Sequence, residues 1–234
     1  MINMPAPILV TGCARSGTSM VAGAINLCGA FGGEMSGPNR NNPKGMFENA
    51  KIRNTIVKPY LSRSKVDPMG QFPLPDVQKL SIPNDWASKV KQIFLEQGYQ
   101  RGPWMYKGAK MCLMWPVWHH AFPEAKWIIV RRKDDDIINS CLKTNFMRAF
   151  NNNGIQRAIN VNTIAEGWQW WVNEHKKRFV EMINKGLNIK IVWPEKMVLA
   201  DYQQIYETIE WLGLKWNPEI LSFIDSKLWK SRRK

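Results

Sequence analysis

The stretch Gly12-Cys13-Ala14-Arg15-Ser16-Gly17-Thr18-Ser19 constrains this chain more than any other feature. Before it, Ile8-Leu9-Val10 is a short apolar run closed by Thr11 and Gly12, which suits a buried parallel strand. After it, Met20, Val21, Ala24, Ile25 and Cys28 recur at steps of one, three and four, a helix that Gly29 stops. Strand, glycine turn and helix in that order make an anion-binding unit. The glycines permit the tight turn, and successive backbone N–H groups at the helix N-terminus face an oxyanion. Ser16, Thr18 and Ser19 add hydroxyls and Arg15 adds a cation. The pattern departs from a Walker A loop at one decisive position, because Thr18 stands where a lysine would reach the outer phosphates of a triphosphate.

The rest of the chain alternates between strand and helix patterns. Residues 31–47 are rich in Gly, Pro and Asn and read as a long loop. A helix follows with Ile52, Ile56, Val57, Tyr60 and Leu61 on one face, which Pro59 is expected to kink or end. Residues 64–83 form a second irregular excursion, and loops of this length often line a functional site. Asn84 is expected to cap a helix through Trp86, Val90, Ile93 and Phe94, stopped by Gly98. Trp104-Met105-Tyr106 reads as a strand, and Leu113 to Phe122 as a helix starting near Pro116. Trp127-Ile128-Ile129-Val130 is the clearest buried strand, followed by a helix through Ile137, Ile138, Cys141, Leu142 and Phe146. Residues 158–185 give a long helix, Ile189 to Trp193 a strand, and Tyr202 to Leu212 a helix stopped by Gly213. The predicted fold is α/β: a P-loop-like three-layer arrangement with a central parallel sheet flanked by helices, in a single domain spanning 1–234.

A formal charge of +14 and twelve tryptophans favour polyanionic partners, whether nucleic acid, an anionic membrane surface or a multiply phosphorylated ligand. No nucleic-acid-binding motif accompanies that charge. Cys13, Cys28, Cys112 and Cys141 are far apart with no CxxC pair, so they read as buried free thiols, and no metal site is expected. No segment approaches the ~18 apolar residues of a membrane span, and the N-terminus has no basic leader; the expectation is a cytoplasmic protein.

A metal-assisted triphosphatase would carry a carboxylate at the end of its second core strand. Here the strand at 127–130 runs into Arg131-Arg132, with Ser140 eight positions after Arg132. A strand ending there and a helix starting near Asp134 would turn Arg132 and Ser140 toward one mouth of the sheet. The competing reading is a solvated turn in which both arginines pair with Asp134, Asp135 and Asp136.

The two motifs together resemble the PAPS-dependent sulfotransferases, in particular bacterial members and, in one segment, tyrosylprotein sulfotransferases. Asn42-Pro43-Lys44-Gly45-Met46-Phe47-Glu48-Asn49 is similar to the NPxGFFE stretch of bacterial members, and Tyr106-Lys107-Gly108-Ala109-Lys110-Met111-Cys112-Leu113 to their WKDPR-type segment. Phe122-Pro123-Glu124-Ala125-Lys126 and Trp211-Leu212-Gly213-Leu214 extend the likeness over most of the chain. The resemblance implies that Arg15, Ser16, Gly17, Thr18 and Ser19 bind the 5'-phosphosulfate end of 3'-phosphoadenosine-5'-phosphosulfate (PAPS). It implies that Arg132 and Ser140 bind the 3'-phosphate, and that adenosine 3',5'-bisphosphate (PAP) is the product, with no metal required. The sulfuryl group would pass to a hydroxyl or amine of an acceptor the sequence leaves open, carbohydrate among the candidates.

Three departures bear on mechanism. Asp134 stands where the family usually has proline, the KDPR-type segment is KGAK, and Ala109 occupies the place of the catalytic histidine of cytosolic members. Lys107, supported by Arg15, is the expected catalytic cation. Glu48 is the first choice for the general base, with Glu34 second and His119 or His120 behind them. Trp168, Trp170 and Trp171 read as core packing before acceptor stacking. The tail Lys227 to Lys234 reads as frayed before it reads as a phosphate contact. The alternative function is a P-loop kinase or hydrolase with a degenerate Walker A motif.

Overall fold

Every residue of β1 (Ile8–Gly12) is buried, as a strand covered on both faces requires. The computed structural model, which describes residues 4–40 and 42–229, sets β1 inside a four-stranded parallel sheet. The order is β2-β1-β3-β4, with β2 Met105–Lys107, β3 Lys126–Val130 and β4 Ile189–Val192. The register pairs Val10 with Lys107 and Gly12 with Val130, so the C-terminal ends of β1, β2 and β3 open at one level. The chain leaves β1 for a neighbour on one side and then crosses to β3 on the other. In open parallel sheets, ligands bind beyond the strand ends at such a reversal.

Side-chain alternation along β1 builds two cores. Leu9 joins Trp127 and Ile129 on one face, while Ile8 and Val10 join Ile128 and Val130 on the other. The second face is covered by α1 (Thr18–Leu27), α10 (Gln203–Leu212) and α11 (Glu219–Phe223). The first is covered chiefly by a helical run over residues 50–63, α4 (Trp86–Glu96), α5 (Trp115–Ala121), α6 (Asp134–Leu142) and α8 (Ile164–Asn184). Short helices α7 (Asn153–Ala158) and α9 (Pro194–Val198) complete the set. The three-layer α/β architecture is the one the sequence predicts.

Four local expectations are corrected. Pro59 does not end its helix: α2 (Ala50–Ile52), a π turn over Arg53–Val57 and α3 (Lys58–Arg63) run on without a break. The change of hydrogen-bond register falls just before Pro59, where its missing N–H would otherwise cost a bond. Asn84 is not the cap of α4. Trp86 N–H donates to Pro83 O, which places Asn84 inside a turn, and Asp85 flanks the helix and pairs with Lys89 at 2.7 Å. The helix after β3 stops at Leu142, because Thr144 donates its N–H to Cys141 O and its hydroxyl to Ser140 O; Phe146 therefore lies outside it and is 42% exposed. The long helix begins at Ile164 and not near 158, since Thr163 and Glu166 form a reciprocal capping box. No helix among the described residues is long and apolar enough to cross a membrane.

Candidate functional site

The loop between β1 and α1 is held open by backbone geometry. Gly17 has φ 94° and Arg15 has φ 72°, a left-handed conformation that costs a non-glycine residue on the order of 1 kcal/mol or more. A Cβ on Gly12 would lie 2.5 Å from Val130 O, so only glycine lets β1 turn against β3 there. Among the described residues, nothing accepts from the backbone N–H groups of Arg15, Gly17, Thr18 and Ser19, which head α1. Unpaired N–H groups at a helix N-terminus form an oxyanion cradle. Ser16 does not share that role. Its N–H donates to Cys13 O at 3.2 Å, and its hydroxyl is buried beside Gly12, off the cavity wall.

Arg132 reaches this loop from the end of β3. Its Nη1 donates to Arg15 O at 3.0 Å, and Asp136 one turn later supports it at 3.8 Å. Arg15 Nε in turn donates to Ser140 Oγ at 3.0 Å. Ser140 thus acts on Arg15 and does not itself line the cavity. Of the expected shared mouth, Arg132 and the glycine loop meet at the cavity while Ser140 stands behind Arg15; of the solvated-turn alternative, the Arg132–Asp136 pair is present but Arg132 is only 6% exposed. Burial pulls both guanidiniums below their ordinary range; for Arg132 the Asp136 carboxylate opposes that pull and the Arg15 charge adds to it. Two like-charged, permanently protonated groups held together in this way are chemically suited to an anion.

Lys107 enters from the opposite flank, at the end of β2. The Thr11 hydroxyl donates to Gly108 O and accepts from Cys112 N–H, pinning the turn that carries it. Its Nζ lies 3.5 Å from Ser19 Oγ and the residue is 5% exposed. Burial depresses the Lys107 ammonium, Glu48 counters this, and Lys110, Arg53 and Arg15 add to it. Glu48, equally buried, accepts from Arg53 Nη1 at 3.2 Å through Oε2 and lines a cavity of about 550 Å3. That cavity joins the cradle, Lys107 and Glu48 to an apolar far wall of Met69, Leu113, Phe146, Met147 and Trp171.

Other candidates fall elsewhere. Glu34 is exposed, with its N–H bound to Gln97 Oε1, and neither it nor His119 or His120 lines the cavity. Trp168 is core, Trp170 packs on Phe72 and Phe150, and only Trp171 reaches the cavity. The tail is not frayed through Trp229: its ring lies 4.2 Å from the Arg132 guanidinium and shields Gly17, whereas residues 230–234 lie outside the described residues. The reason is cation–π attraction to a buried guanidinium. All four cysteines are buried and free, and burial pushes the Cys112 and Cys141 thiols up to about 12, far from nucleophilic range. Among the described residues, no group of three or more His, Cys, Asp or Glu side chains could hold a metal ion.

Sequence reasoning missed Arg53, Lys58, Lys110 and His175, all on the cavity wall. His175 is buried on α8 with Nδ1 2.8 Å from Trp171 O, and burial drives its pKa down to about 3, so it is neutral. Its sequence signal was a lone histidine in an amphipathic helix, which is indistinguishable from core. Lys110 and Arg53 carried a signal in the KGAK segment and in the spacing from Glu48, once the helix face is known.

No protein-family profile matches the chain, and no curated protein does. Solved structures share its fold. The sulfotransferase domain from the curacin biosynthetic pathway is 14% identical with a TM-score of 0.57, covering 95% of this chain and 79% of that one. The sulfotransferase from Alicyclobacillus acidocaldarius is 13% identical with a TM-score of 0.55, over 97% of this chain and 89% of that one. Sulfotransferase STF9 from Mycobacterium avium is 13% identical with a TM-score of 0.52, over 94% and 67%. At such identities the likeness establishes architecture: this chain has the α/β fold seen in solved bacterial sulfotransferases.

Proposed function

We propose that the chain is a PAPS-dependent sulfotransferase, a single domain over 1–234 that works in the cytoplasm and moves a sulfuryl group to an acceptor hydroxyl or amine. The observation that carries the reading is the pair of anion sites at the strand ends: the open N–H groups of Arg15, Gly17, Thr18 and Ser19, and the Arg132–Arg15–Ser140 chain beside them. Thr18 in the lysine position and arginines at the end of β3 argue against triphosphate cleavage with magnesium. The solved sulfotransferases of the same fold add weight.

In this reading Gly17, Thr18 and Ser19 cradle the 5'-phosphosulfate end, and Arg132 with the Ser140-braced Arg15 meets the 3'-phosphate. PAPS supplies an activated sulfuryl group whose departure leaves a phosphate oxyanion. Lys107, desolvated and beside Ser19, is suited to take up the charge that grows on that oxygen. Glu48 offers Oε1 to the acceptor proton while Arg53 fixes the carboxylate through Oε2. Glu34 and the two histidines at 119 and 120 drop out as bases for want of access to the cavity.

The test is calorimetric titration with PAP and, separately, with ATP and magnesium. PAP binding in the micromolar range, with ATP much weaker, supports the donor assignment. Stabilisation by ATP with magnesium and none by PAP would instead return the chain to the kinase or hydrolase alternative.

A further inference from the structure

Two lysines on the cavity wall are left over by the donor chemistry. Seven cationic side chains line the cavity against two carboxylates, Glu48 and Asp225. Arg15, Lys107 and Arg132 belong to the donor sites, Arg53 is paired with Glu48, and Lys44 is turned onto the carbonyls of Ser222 and Phe223. Lys58 and Lys110 remain, and among the described residues neither has a hydrogen-bond or ion-pair partner.

Their placement relative to the donor follows from what surrounds them. The largest charged neighbours of Lys107 are Glu48, Lys110, Arg53 and Arg15; those of Lys110 are Glu48, Lys58 and Arg53. Lys110 lies three residues past Lys107 and Lys58 opens α3, and both line the cavity that holds Glu48. The Lys110 stem packs against Gly70, where a Cβ would lie 3.0 Å from Lys110 Cγ and 3.1 Å from Leu113 Cδ1, and Gly70 O accepts from Trp171 Nε1 at 2.8 Å. The π turn explains the second lysine. In an α-helix residues five apart point about 140° away from each other at ~3.6 residues per turn. The wider turn over Arg53–Val57 lets both Arg53 and Lys58 face the cavity. Burial and the Lys58 charge depress the Lys110 ammonium, Glu48 and Asp67 oppose this in part, and a ligand anion beside both lysines relieves the cost.

We infer that the acceptor, on the sulfotransferase reading, is an anionic amphiphile. Its hydroxyl meets Glu48, its aromatic or alkyl body lies against Leu113, Met147 and Trp171, and a carboxylate, phosphate or sulfate sits between Lys58 and Lys110. This excludes cationic and uncharged polar acceptors as the preferred class.

The experiment uses the full chain saturated with PAP, so that the donor sites are filled, and titrates it with three matched phenols: 4-hydroxyphenylacetate, 4-hydroxyphenylacetamide and tyramine. The acetate is expected to bind about tenfold or more tighter than the amide, and tyramine weakest. In the Lys58→Met/Lys110→Met variant, that preference should shrink to about threefold or less, while PAP affinity, read first and independently, stays within about twofold. Unchanged PAP affinity also shows that the variant folds; Lys110→Gln alone provides a milder second variant. Equal binding of acetate and amide, no binding of any phenol, or a preference that survives the double substitution each overturns the inference while leaving the donor assignment standing. Failure of the wild-type chain to bind PAP sinks the donor assignment itself.

Discussion

Replacing Arg132 by alanine removes a buried guanidinium that meets Arg15 O and packs on Trp229. PAP affinity should fall by roughly 10- to 100-fold, the loss of one or two charge-assisted hydrogen bonds, as measured by titration calorimetry. Glu48→Gln should leave PAP affinity within about twofold and lower turnover by about 100-fold or more, as removal of a general base does. Unaltered turnover would shift the proton to another acceptor. His175 gives a pH signature. Its folded pKa of about 3 lies below its ordinary value of 6.5, so between those values the unfolded chain binds a proton that the folded chain does not. Its contribution to stability is therefore complete above about pH 6.5 and is lost as pH falls toward 3, with a slope of up to ~1.4 kcal/mol per pH unit. Urea titrations of wild type and His175→Gln across that range should show a steeper loss of stability toward low pH in the wild type. Arg132 could be anticipated at the cavity because it follows the clearest strand, and Lys107 and Glu48 because their segments resemble those of sulfotransferases. Lys58 could not, because its direction depends on a π turn that no local composition announces.

The long helix α8 owes its start to Thr163 and Glu166, and Thr163→Ala should cost about 1 kcal/mol, seen as a lower urea midpoint with unchanged m. Gly17→Ala tests the head of α1: φ 94° and the Trp229 ring both oppose a Cβ, and the loss should be on the order of 1–3 kcal/mol together with weaker PAP binding. Elements with a strong period and a clear stop, β1, β3, α1 and α10, lie where the sequence puts them, within a residue or two. The misjudged ends are those decided by competition for a few hydrogen bonds. Thr144 takes the last carbonyls of α6, and the turn at Pro83 consumes Asn84. Such contests turn on side-chain reach in three dimensions, which apolar spacing does not encode.

The net charge of +14 is not spread evenly, since seven cations against two carboxylates converge on one cavity. Donor binding should therefore weaken as ionic strength rises, by more than the partly shielded Arg132 contact alone would give, and calorimetry in a chloride series would show it. The unpaired amides heading α1 also have a practical bearing. Any small tetrahedral oxyanion in the solution is a competitor for them, so assays buffered with inorganic phosphate or run in ammonium sulfate will understate affinity for a nucleotide. They will overstate melting temperature by the same mass action, and zwitterionic buffers should remove both distortions.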